Sequence, residues 1–138
     1  MNTIEKNKLI KKYHAICAVT ETDIDMRSRL MNSYNVTSIS ELDEAKIEKL
    51  INELQRIPDM WRKKVMASIG GWLKLQNIEG TGDLIKGIAC RASGNVNFNK
   101  ITVPRLRDIY YEFLHKQDIA KSANAVKALI VAEIASKN

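Results

Sequence analysis

Two cysteines, two prolines, six glycines, two histidines and an aromatic content of 6% leave this 138-residue chain short of the residues that build disulfide frameworks, tight loops and catalytic centres. Two cysteines are too few for a secreted disulfide scaffold. Cys17 and Cys90 both fall in apolar helical stretches, where a buried free thiol is the ordinary expectation. No apolar run reaches the ~18 residues of a membrane span, and the opening MNTIEKNKLIKK lacks the apolar centre of a signal peptide, so the expectation is a soluble intracellular protein with no membrane contact. His14, Cys17, Cys90 and His115 are the whole stock of histidine and cysteine; His14 and Cys17 stand three apart on one helix, but the other two lack the paired spacing of a zinc motif. Gly80-Thr81-Gly82 follows no strand and lacks the lysine and hydroxyl of a phosphate loop, which makes it a turn. Glu44, Glu48 and Glu53 lie on a helix surface without a proton-transfer partner in sequence. No cofactor, metal or catalytic role is expected.

What the chain does have is apolar residues, 45% of the total, recurring at helical spacing. The fold class expected is all-α: one compact domain of about six to seven helices. Thr3 opens a helix running to about Ala18, with Leu9, Ile10, Tyr13, Ile16 and Cys17 inward. Thr22 is positioned to cap a second, ending near Asn35. Ser38 and Glu41 have capping-box spacing around a short helical turn, and Asp43 opens helix three. Pro58 is expected to stop that helix, making Pro58-Asp59 a boundary. Helix four spans about Met60 to Gln76 and contains Gly70 and Gly71, each costing about 1 kcal/mol relative to alanine. A close approach by another helix, or a kink, would offset that cost. Helix five ends at Gly94, Thr102 caps helix six, and the Ala-rich segment from Asp118 onward forms helix seven.

Ile10, Tyr13, Ile16, Leu42, Ile47, Leu50, Ile51 and Leu54 match Ile69, Trp72, Leu75, Ile101, Leu106, Ile109, Tyr110 and Phe113 at an offset of 59 positions. This spacing predicts two related three-helix halves, residues 1–58 and 59–117, followed by a C-terminal helix over 118–138. With Ile119, Val126, Leu129, Ile130 and Ile134 near one stripe, that last helix either closes an open core or serves as a homodimer face.

The net charge of +6 sits wholly in the second half: residues 1–58 carry nine basic and nine acidic side chains, residues 59–138 thirteen and seven. Such asymmetry points to a polyanion such as nucleic acid. The candidate contacts are Arg62, Lys63 and Lys64, expected at the start of helix four, and Arg105 and Arg107 at the start of helix six. Cations there oppose the helix dipole but lie beside free amides suited to a phosphate backbone; a solvated face is the competing reading. Trp61, Trp72, Tyr110 and Phe113 have core spacing, which makes them packing residues before base-stacking platforms. The segment from Gly94 to Ile101 is too long for the turn of a helix-turn-helix, so groove reading is not expected.

Three stretches, Lys8 to Leu54, Met60 to Gln76 and Lys100 to Leu114, together resemble the GemA-type regulatory proteins of Mu-like bacteriophages. The likeness rests on a Lys-rich helix around Tyr13-His14, then on Tyr34-Asn35-Val36 followed by Ser and Leu before a further helix. Ile101-Thr102-Val103-Pro104 resembles the family's Leu-Thr-Pro entry to its last helix, with Val103 inserted. The resemblance implies a non-catalytic phage or prophage regulator in the bacterial cytoplasm that modulates gene expression or DNA state. Its partner would be nucleic acid or a nucleic-acid-associated host protein; a protein-only adaptor or oligomerisation module is the alternative.

Overall fold

Where the helices begin and end follows from local chemistry in the computed structural model, which describes residues 3–137; Met1, Asn2 and Asn138, the outermost residues of the first and last predicted segments, lie outside it. Among the described residues there are five α-helices, two 3-10 turns and no strand. The helices are α1 (Thr3–Thr20), α2 (Ile24–Ser33), α3 (Glu44–Leu75), α4 (Gly82–Ser93) and α5 (Val103–Ser136), with 3-10 turns at Ile39–Glu41 and Phe98–Lys100. The all-α class is therefore present, but five helices stand where six to seven were expected.

Two fusions account for the difference. Helices three and four are one, because Pro58 lies inside α3 without ending it. Proline in a helix interior loses an amide donor and crowds the carbonyl four residues back, at a cost of about 3 kcal/mol. Pro58 is among the most deeply buried side chains of the protein, so packing of its ring offsets part of that cost. Helices six and seven are likewise continuous, since after Pro104 in its first turn α5 contains neither proline nor glycine to stop it. There is thus no linker at Pro58-Asp59, and residues 118–136 extend α5 rather than closing a core.

Capping explains most of the starts. Asp43 accepts a hydrogen bond from the Lys46 amide at 2.8 Å, Thr81 from the Leu84 amide at 3.2 Å, and Ser38 with Glu41 forms the reciprocal capping box. The cap of α2 is Asp23, accepting from the Met26 amide at 2.8 Å, not Thr22, whose hydroxyl is 2.7 Å from that of Thr20. Gly94 ends α4 with φ 72°, and Asn35 takes the corresponding left-handed conformation after α2, with φ 59°.

Buried side chains gather in two clusters. Tyr13, Ile16, Cys17, Met31, Leu42, Ile47 and Leu50 join α1, α2 and the first half of α3. Val65, Ile69, Ile85, Ile101, Leu106, Ile109 and Phe113 join the rest of α3 to α4 and α5. The two 3-10 turns, and the starts of α3 and α5, are each 59 positions apart. Close approach explains Gly71, where a methyl group would lie 2.7 Å from Gln117 Nε2, but not Gly70, where it would lie at an ordinary contact distance of 3.4 Å from Ile85 Cδ1. The Gln117 amide donates to the Ser68 carbonyl at 2.7 Å, and seven residues on, Asn124 donates to the Leu75 carbonyl at 3.2 Å. Those two bonds, with Trp61 against Tyr110, share an offset of 49 positions, so the second half of α3 and α5 run parallel in a seven-residue register. α3 ends at Leu75, and from residue 121 onward every described side chain of α5 is exposed.

Candidate nucleic-acid interface

The five predicted basic residues separate into structural and free groups. Arg62, Lys63 and Lys64 lie in the middle of continuous α3, not at a helix start, so no unpaired first-turn amides accompany them. The Arg62 side chain, 15% exposed, pairs with Asp59 at 3.1 Å and donates from its other terminal nitrogen to the Asn99 carbonyl at 2.7 Å. That second bond spans 37 residues and ties α3 to the 3-10 turn before α5. Its Nε is buried without a hydrogen-bond partner. Arg105 donates to the Ala92 carbonyl, satisfying one of the terminal acceptors of α4. Both guanidinium groups therefore act as struts between elements.

Lys63 is exposed and, two residues from Trp61, points to the other side of α3. Lys64 Nζ lies 4.8 Å from the Trp61 ring centroid and 5.6 Å from that of Tyr110. Trp61 and Tyr110 meet edge to face with centroids 5.8 Å apart, and Tyr110 and Tyr111 are 5.2 Å apart. Arg107 is exposed in the second turn of α5, beyond the free first-turn amides, and Tyr110 and Tyr111 follow at three and four residues, the spacing of neighbours on one helix face. Tyr111 is 58% exposed. The structure thus gathers Lys64, Trp61 and Tyr110 at the α3–α5 seam with Tyr111 against Tyr110, places Arg107 one helical turn before the two tyrosines, and leaves Lys63, Arg62 and Arg105 out of that group. Sequence reasoning assigned Trp61 and Tyr110 to the core; they pack against it but stay partly exposed. The i, i+3, i+4 spacing of Arg107, Tyr110 and Tyr111 was the available signal for this face.

A second cation–aromatic group lies further along the seam. Lys116 Nζ is 5.4 Å from the Trp72 ring and 5.6 Å from Phe113, and Trp72 and Phe113 are themselves edge to face. These residues border an open groove of about 580 Å³ between α3, α4 and α5, with Glu112 beside Phe113 and Lys116 on the α5 wall and Ile88 and Arg91 on the α4 wall.

In the first half, Tyr13 is buried with its hydroxyl unpartnered, and burial followed by the neighbouring Cys17 pushes its phenol up to about 12. Among the described residues no three His, Cys, Asp or Glu side chains gather as a metal site, and Cys17 and Cys90 belong to different clusters. No described helix is long and apolar enough to cross a membrane. No protein-family profile, curated protein or solved structure matches this chain.

Proposed function

We infer that this protein is a non-catalytic regulator of phage or prophage type that acts in the bacterial cytoplasm. It would bind nucleic acid, or a host protein carrying nucleic acid, and so modulate gene expression or DNA state. The observation that carries the nucleic-acid reading is the grouping of Lys64 with Trp61, Tyr110 and Tyr111, to which helical spacing on α5 adds the exposed Arg107. Cations interleaved with partly exposed rings suit a single strand, whose phosphates meet the cations while bases stack on the rings. The excess of basic residues in 59–138 supports it, as does the resemblance to GemA-type proteins. Two related halves, each with its own buried cluster, fit descent by duplication, with the second half having acquired the charge.

A salt titration of binding to short single- and double-stranded DNA, followed by fluorescence anisotropy, tests this directly. Lys64→Gln and Arg107→Gln should each reduce the salt slope for single strands by about 0.7. Tyr111→Ala should weaken single-strand binding by about 1 kcal/mol or more with the slope unchanged. Absence of binding at low salt, or three variants indistinguishable from the parent, overturns the reading. The second reading, a protein-only adaptor or oligomerisation module, is favoured by a different observation, the apolar residues exposed on α5 beyond residue 118.

A further inference from the structure

The C-terminal part of α5 has a face that its own chain does not cover. Ile119, Val126, Ile130 and Ile134 are each more than half exposed, as is Leu129 at the edge of the same stripe. At about 100° per residue, this stripe is turned by more than a right angle from the side that carries Leu106, Phe113, Gln117 and Asn124 toward the core and α3. It is not an overhang of the internal seam. It continues the α5 wall of the open groove, since Glu112 and Lys116 fall on the same side of the helix.

We propose that a second copy of this chain covers the stripe, the two α5 helices crossing antiparallel about a two-fold axis near Val126. The stripe is self-complementary only in that sense: Ile119 meets Ile134, small Ala123 meets large Ile130, and Val126 meets its own copy. Glu133, which holds Lys137 at 3.4 Å on its own helix, lies within the stripe, so a parallel pair would bring two such charged pairs side by side at the seam, whereas the antiparallel pair sets Glu133 against the neighbourhood of Ala120. The antiparallel arrangement also brings the last turn of each α5, which ends at Ser136, toward Lys116 on the groove wall of the other copy. A cation there complements the partial negative charge of a helix C-terminus.

The area suffices for a modest interface. Five side chains, each withdrawing on the order of 50 to 80 Å² of apolar surface, together with the alanines and aliphatic stems between them, bury on the order of 1,000 Å² over two copies. That lies at the lower bound of specific association, where weak, reversible pairs are found. The proposal stands independently of the nucleic-acid reading.

Sedimentation velocity of the full chain over about 1 μM to 1 mM should show a reversible rise from 15.7 kDa to twice that mass. Ile130→Glu should raise the dissociation constant at least tenfold with helicity by circular dichroism unchanged, because the site is exposed. The register is read by disulfide trapping with Cys90 replaced by Ser. Val126→Cys should cross-link to itself, Ile134→Cys alone should not, and a mixture of Ile119→Cys with Ile134→Cys should form the mixed dimer. A monomer throughout the range overturns the proposal and leaves the stripe to a different protein or a lipid surface. Self-cross-linking of Ile134→Cys as fast as Val126→Cys overturns the antiparallel arrangement.

Discussion

Arg62 was a candidate phosphate contact by sequence and is a strut by geometry, so its replacement separates the two roles. In Arg62→Met the apolar stem is kept and the guanidinium removed. The bond to the Asn99 carbonyl, 2.7 Å long and charged, is of a kind that contributes about 1.5 to 3 kcal/mol. Asn99 is exposed, however, and water can replace the lost donor, which favours the lower end. The pair with Asp59, whose side chain is 55% exposed, adds at most about 0.5 kcal/mol. Against these losses, removing the buried and unpartnered Nε returns about 1 kcal/mol. The net expectation is a destabilisation of about 1 kcal/mol, seen in urea unfolding and as a drop of about 4 °C in Tm. Lys63→Gln, at an exposed position with no strut, should stay within about 0.5 kcal/mol of the parent. In the DNA titration Arg62→Met should keep the parental salt slope. A variant as stable as the parent but with its slope reduced by a full phosphate contact would refute the strut assignment.

Tyr13 sets an alkaline limit. Its phenol is raised to about 12 in the folded state against an ordinary value of 10.0, so its contribution is complete below pH 10 and is lost as pH rises toward 12, the unfolded chain ionising first. Chemical denaturation should therefore show the parent losing about 1 kcal/mol relative to Tyr13→Phe between pH 9 and 11. The glycine pair should respond unequally to alanine: Gly70→Ala meets Ile85 at ordinary contact distance and gains up to about 1 kcal/mol of helix propensity. Gly71→Ala displaces Gln117 from the Ser68 carbonyl and should gain nothing or lose about 1 kcal/mol, a contrast that thermal unfolding resolves. Asp43→Ala removes a cap bond and should cost about 1 kcal/mol, whereas Thr102→Ala, at a cap position whose side chain makes no such bond, should cost less than about 0.5 kcal/mol in the same urea assay.

The caps that local chemistry dictates were mostly legible: Asp43, Gly94 and the Ser38–Glu41 box occupy the positions their residue types favour, whereas Thr81, read only as part of a turn, caps α4. The apolar stripes were legible too, because the core-facing residues of α3 and α5 recur at 3.6-residue spacing whether or not a helix is interrupted. What failed at Pro58 was a local rule overruled by burial, since the cost of an interior proline is fixed by its backbone while the compensating contacts come from elements distant in sequence. The same separation governs the basic residues. Lys64 and Tyr110 stand 46 positions apart, and only the parallel register of α3 on α5, fixed by Gln117 and Asn124 donating to Ser68 and Leu75, brings the cation over the ring one turn beyond Arg107. Arg62 and Arg105 are removed from that face by the carbonyls of Asn99 and Ala92, acceptors that no spacing rule could have named. A basic count therefore overstates the cations available to a polyanion. Structural bonds remove Arg62 and Arg105 and leave Lys63, Lys64 and Arg107 free; Lys63 points to the other side of α3, so Lys64 and Arg107 carry the titration experiment.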